Sequence, residues 1–169
     1  MSHEMHMQIV KDLPNKKITI TRQFNATPDM VWRAWTESEL LDQWWAPKPW
    51  RAETKTLNFK EGGNWLYAMV GPNGDKEWVK VDFITIEPHK AFTAMDYFCD
   101  EAGTISNELP GMHWHVEFER TGKGTQVVVV ITFANEADGD KIVEMGFESG
   151  FTSALTNLDA LLKTEGQLH

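Results

Sequence analysis

Apolar side chains recur at three- and four-residue steps over Asp138–Lys163: Val143, Phe147, Phe151, Ala154, Leu158 and Leu161, with Leu155 and Leu162 beside them. Glu144, Glu148, Thr152, Asp159 and Lys163 fall mostly on the other side. This is the stripe of an amphipathic helix. At 1.5 Å per residue it runs roughly 40 Å, enough to cross a sheet. Gly146 and Gly150 sit one turn apart within it. Each costs a helix about 1 kcal/mol relative to Ala, so their missing side chains are expected to leave space beneath the helix.

Upstream the period changes to two. Lys17–Asn25 alternates Ile18, Ile20, Arg22 and Phe24 against Thr19, Thr21 and Gln23, which predicts a strand. Thr27 can cap a helix that Pro28 opens, with Met30, Val31, Ala34 and Trp35 inward. Thr36–Glu39 reads as a capping box before a second short helix that ends at Pro47 and Pro49. Strands are predicted over 50–60, 64–70, 77–87, 91–99, 112–120 and 125–134. Asn73-Gly74 marks a hairpin. Residues 100–111 read as a polar loop, and Asn135 or Asp138 can cap the last helix. Residues 1–16 read as a tail or edge segment, and 17–169 as a single domain. The order is one strand, two short helices, six strands and a long helix. It predicts an α+β fold with an antiparallel sheet of about seven strands and helices on one face.

Composition narrows the function classes. A chain of 169 residues suits one domain. The net charge of −9 disfavours binding nucleic acid through its phosphates. No apolar run reaches about 18 residues, so no membrane insertion is expected. Met1–His6 lacks a signal peptide's basic-then-apolar order. With the lone Cys99 it points to a cytoplasmic protein. Eight Trp and nine Phe are enough to line a pocket as well as fill a core.

Four blocks stand in a familiar order: Ile20–Phe24 with Ala26-Thr27-Pro28 and Val31–Thr36; Leu40–Pro47; Phe59–Trp65; and the helix closing on Gly150–Leu162. Together they resemble the START-like (SRPBCC) superfamily from about Lys17 to Lys163. Within it they resemble the branch named after the C-terminal domain of the activator of the heat-shock-protein-90 ATPase. The resemblance implies a helix-grip fold: a curved antiparallel sheet around a long C-terminal helix, with a cavity between. It implies no cofactor. Members include lipid carriers, hormone receptors, aromatase/cyclase enzymes and co-chaperones, so function must be argued from the site.

The residues suggest a pocket wall. Trp65, Tyr67 and Met69 share one strand face, and Phe147, Phe151 and Leu155 lie about a turn apart on the helix. They would contact a flat, mostly apolar ligand; the competing reading is a solid core. His113, His115 and Glu117 share one face of their strand, and Trp114, Val116 and Phe118 the other. The first set suits an acid–base role or a metal, or else a solvated sheet face; no metal is assigned. Trp44–Trp50 either gates a cavity mouth, presents an apolar patch to a partner or caps the core. Arg22, among apolar neighbours, needs a carboxylate, with Asp96 and Glu117 as candidates, or else binds a ligand's anionic group. Cys99 has no cationic neighbour in sequence.

The leading expectation is a cytoplasmic protein that binds a small hydrophobic molecule, aromatic or lipid-like. The alternatives are a cyclase- or dehydratase-type enzyme in the same pocket, with His113, His115 and Glu117 as catalytic candidates, and a chaperone ATPase co-regulator acting through a surface. A homodimer and a chaperone partner stay open.

Overall fold

The computed structural model describes residues 7–106 and 111–167. Eight strands form one antiparallel sheet: β1 (Met7–Asp12), β2 (Lys17–Phe24), β3 (Arg51–Leu57), β4 (Asn64–Val70), β5 (Lys76–Glu87), β6 (Ala91–Cys99), β7 (Met112–Thr121) and β8 (Gly124–Thr132). Their order across the sheet is β1-β2-β8-β7-β6-β5-β4-β3. The sheet is curved and does not close. α1 (Pro28–Thr36) and α2 (Ser38–Trp44) follow β2, and α3 (Glu136–Glu144) and α4 (Phe147–Gln167) end the chain. This is the α+β fold expected. The eighth strand is β1, from the segment read as tail or edge. It pairs from Met7↔Arg22 to Asp12↔Lys17. Met1–His6 lie outside the described residues.

Alternation fixes which side chains face the helices. Along β8, Thr125, Val127, Val129 and Ile131 are buried, and the residues between are less so. Along β7 the buried set is Met112, Trp114, Val116 and Phe118. From α4, Phe151, Ala154, Leu155, Leu158 and Leu162 complete the core. α1 starts as expected: Thr27 Oγ1 accepts from the Met30 amide at 3.3 Å, with Pro28 at the first helical position. The capping box at Thr36–Glu39 does not form. Glu37 occupies the N-cap without a side-chain bond to the helix amides, and Thr36 Oγ1 instead donates back to Trp32 O at 2.8 Å.

The long helix is two helices. Asn135 caps α3 by accepting from the Asp138 amide at 2.8 Å. The chain then turns at Gly146, with φ at +85°. The Gly146 amide donates to Val143 O, and the Gly150 amide donates to Gly146 O, each at 3.0 Å. Gly146 therefore ends α3 and begins α4. Only glycine reaches that φ without steric cost. The apolar stripe runs through the break because both helices lay their apolar sides on the same sheet.

Candidate functional site

A cavity of about 200 Å³ lies between the inner face of β4–β7 and the α3–α4 junction. Tyr67 and Met69 of β4, Val79 of β5, Asp96 and Phe98 of β6, and Met112 and Trp114 of β7 form its sheet side. Ile142, Met145, Phe147 and Phe151 form the helix side, and Trp45 and Pro47, just beyond α2, close one flank. The bend at Gly146 places α3 and α4 around this space. Its rings pack edge to face or in tilted pairs: Trp45–Trp114 at 5.8 Å between centroids, Trp114–Phe151 at 5.6 Å and Trp45–Phe151 at 6.2 Å. Phe147 stacks on Phe151 at 5.5 Å. Rings held by several neighbours in this way resist collapse into the space.

Asp96 and Tyr67 interrupt the apolar wall, and Tyr97 borders the same space. Asp96 follows Phe92 and Ala94 on the inward face of β6. Its Oδ1 accepts from the Met112 amide at 3.2 Å, and its Oδ2 from Trp114 Nε1 at 3.0 Å. Burial nonetheless raises its pKa to about 7, because desolvation outweighs the two hydrogen bonds that favour the anion. Tyr67 accepts from Trp45 Nε1 at 2.7 Å. Burial, and then the nearby Asp96, push its hydroxyl well above the usual tyrosine range, so it stays protonated. Asp96 also borders a second space of about 30 Å³, lined further by Trp35, Trp65 and Phe92. That volume suits roughly one water. Among the described residues, no group of three or more His, Cys, Asp or Glu could hold a metal ion.

The model of the family described as Activator of Hsp90 ATPase homolog 1-like protein matches residues 25–163. The chain belongs to this family. Solved structures share its fold along nearly the whole length. A protein from Arthrobacter aurescens is 33% identical, with a TM-score of 0.88, over 93% of this chain and 91% of that one. One from Staphylococcus epidermidis is 30% identical at 0.82, over 94% and 95%. One from Mycobacterium smegmatis is 27% identical at 0.84, over 92% and 95%. No curated protein matches the chain. The family establishes a fold of general ligand-binding or regulatory type and does not name a ligand.

The residues expected at the site divide in the structure. Tyr67, Met69, Phe147 and Phe151 line the cavity. Trp65 stacks on Tyr67 at 4.1 Å and borders only the smaller space. Its indole donates to Thr54 Oγ1 at 2.9 Å. Leu155 lies in the solid core at 2% exposure and does not line the cavity, because its turn of α4 is already past the opening. His113, His115 and Glu117 face away from the cavity, since alternation turns Trp114 and Val116 inward. His115 Nε2 meets Glu117 Oε1 at 2.8 Å on that outer face. Partial burial and the neighbouring His115 ring push His113 below the usual histidine range. Arg22 reaches Asp159 at 3.9 Å rather than Asp96 or Glu117, because α4 passes over β2.

Within Trp44–Trp50 the roles also separate. Trp44 is buried and donates to Ala34 O at 2.9 Å, while Trp45 faces the cavity. Burial and Asp100 push the Cys99 thiol up, opposed by Lys80 across the sheet. The residue that sequence reasoning passed over as a site is Asp96. Its signal was present: it is the carboxylate on the apolar face of a strand that otherwise places Phe92, Ala94 and Phe98 there.

Proposed function

We propose that the chain holds a small, flat, largely apolar molecule in the cavity under the α3–α4 bend. The observation that carries this reading is an aromatic-walled space of about 200 Å³ with one carboxyl in it. A dry cavity of about 150 Å³ accommodates benzene. A guest of one ring with a short chain, or two fused rings, therefore matches the volume. A long lipid does not, so the aromatic half of the expectation is favoured over the lipid-like half. A cytoplasmic site of action belongs to the same reading.

Asp96 favours a second reading, an enzyme of cyclase or dehydratase type. A carboxyl that titrates near 7 inside a ligand cavity is suited to give and take a proton. In this reading Asp96 takes the role first sought in His113, His115 and Glu117. A chaperone-regulator role is supported by the family's description, while the cavity adds nothing to it.

The test is direct. Native mass spectrometry of the purified protein is expected to show a small-molecule adduct that organic extraction removes. Propylbenzene is then expected to raise the melting temperature of the extracted protein. Gly150→Leu supplies a control, since a Cβ at Gly150 meets only Pro47 Cγ, at 3.8 Å. The larger side chain is expected to occupy part of the cavity and cancel the propylbenzene shift while the fold persists. No adduct, with equal responses from wild type and variant, ends the proposal.

A further inference from the structure

Among the described residues, Asp96 is the one carboxylate on the cavity wall, and no lysine, arginine or histidine lines that wall. Both of its oxygens already accept an N–H, from Met112 and from the Trp114 indole. Two such donors stabilise the anion and hold it in one orientation. A carboxylate enclosed by apolar side chains is nonetheless costly without a counter-charge. The rings of Trp45, Trp114 and Phe151, packed on one another, line the same cavity as the carboxyl. Aromatic faces carry partial negative charge and attract cations. Carboxyl and rings thus favour the same sign of guest and repel an anion.

Resting on the reading of the cavity as a ligand site, we infer that its guest is an arylalkylamine: one aromatic ring on a short chain, with a protonated amine set against Asp96. The ammonium would occupy the free lone pairs of the carboxylate beside the ring faces, and the aryl group the apolar remainder. The volume limits the guest to about ten heavy atoms. The charge requirement excludes aryl carboxylates of the same size.

The inference carries a pH dependence. Tyr67 faces Asp96 from β4 and stays protonated, and Tyr97 lies beside it on β6. β5, β7, α3 and α4 present only apolar residues or glycine to the cavity. Asp96 therefore governs amine binding. The amine, charged like a lysine across this range, binds the ionised carboxyl and loses affinity as acid protonates it.

The experiment compares three guests of matched size by calorimetry: 2-phenylethylammonium, propylbenzene and phenylacetate. At about pH 8 the ammonium is expected to bind at least about tenfold tighter than propylbenzene, and phenylacetate more weakly than either. At about pH 5.5 the advantage of the ammonium over propylbenzene is expected to shrink about tenfold. Asp96→Asn, checked for folding by circular dichroism, is expected to remove the advantage at both pH values. The comparison across pH in wild type stands even if the variant folds poorly. Propylbenzene binding as tightly as the ammonium at pH 8, or an advantage indifferent to pH, overturns the amine assignment and leaves the apolar cavity in place. Failure of both guests to bind removes the cavity reading and the amine with it.

Discussion

Asp96 concentrates the chemistry of this protein in one side chain. The ordinary aspartate value is 3.8, and burial lifts it to about 7. The folded chain thus keeps a proton that the unfolded chain releases between about pH 4 and 7. Folding takes that proton up, so this residue's contribution to stability falls as pH rises through the interval and levels off above it. The slope approaches about 1.4 kcal/mol per pH unit where the linkage is complete. Asp96→Asn keeps the shape and removes the titration. Thermal melts at pH 5 and pH 8 are therefore expected to show wild type losing ground to the variant at the higher pH. An unchanged gap between the two proteins would mean that Asp96 titrates like a solvated aspartate. Every ionisable group other than Asp96 cancels in this comparison.

The two glycines near the bend look alike in sequence and differ in structure. Gly146 sits at φ +85°, where an L side chain is strained. Gly150 lies within the first turns of α4, and a Cβ there meets only Pro47 Cγ, at 3.8 Å. Gly146→Ala is expected to cost about 1–2 kcal/mol, and Gly150→Ala to add roughly 0.5–1 kcal/mol by favouring the helix. Urea denaturation of the pair measures both. Equal effects would mean that the chain runs straight through residue 146. The strands were legible from alternation because each sheet face has a single environment: β4 and β6 fall at the residues expected, and β5, β7 and β8 within two residues. The capping box failed because Thr36 bonds backward into α1, where its hydroxyl has an acceptor close by.

At the scale of the molecule, one core joins the sheet to α1, α2 and α4. Asn157 of α4 donates to Ala46 O at 3.1 Å, holding the segment after α2 against the last helix. Trp45 and Pro47, on that segment, are thereby held at the cavity flank. Leu155 belongs to the core rather than the wall, at 2% exposure. Leu155→Ala is expected to lower stability by about 2–5 kcal/mol and to leave the affinity for propylbenzene within about twofold. Denaturant titration should move the midpoint without altering the slope, as a loss of core packing in a two-state domain does. A large loss of affinity instead would return Leu155 to the ligand wall.

Apart from β1, whose segment reads only as a tail or edge, local periodicity determined β2 to β8, the first two helices and the apolar stripe of the C-terminal helices, and the short turns determined the antiparallel arrangement. These depend on neighbours a few positions apart, and the order of blocks along the chain pointed to the same family and fold. Three matters depended on segments far apart in the chain. The bend at Gly146 needs a φ that composition does not encode, because a glycine can be tolerated inside a helix as well as favoured just past its end. The side of β7 that faces inward was settled by where α4 lies, which carried His113, His115 and Glu117 outward and Trp114 in. The environment of Asp96 exists only once β6, β7 and the segment after α2 meet, since desolvation is a property of the assembled surroundings and not of the residue.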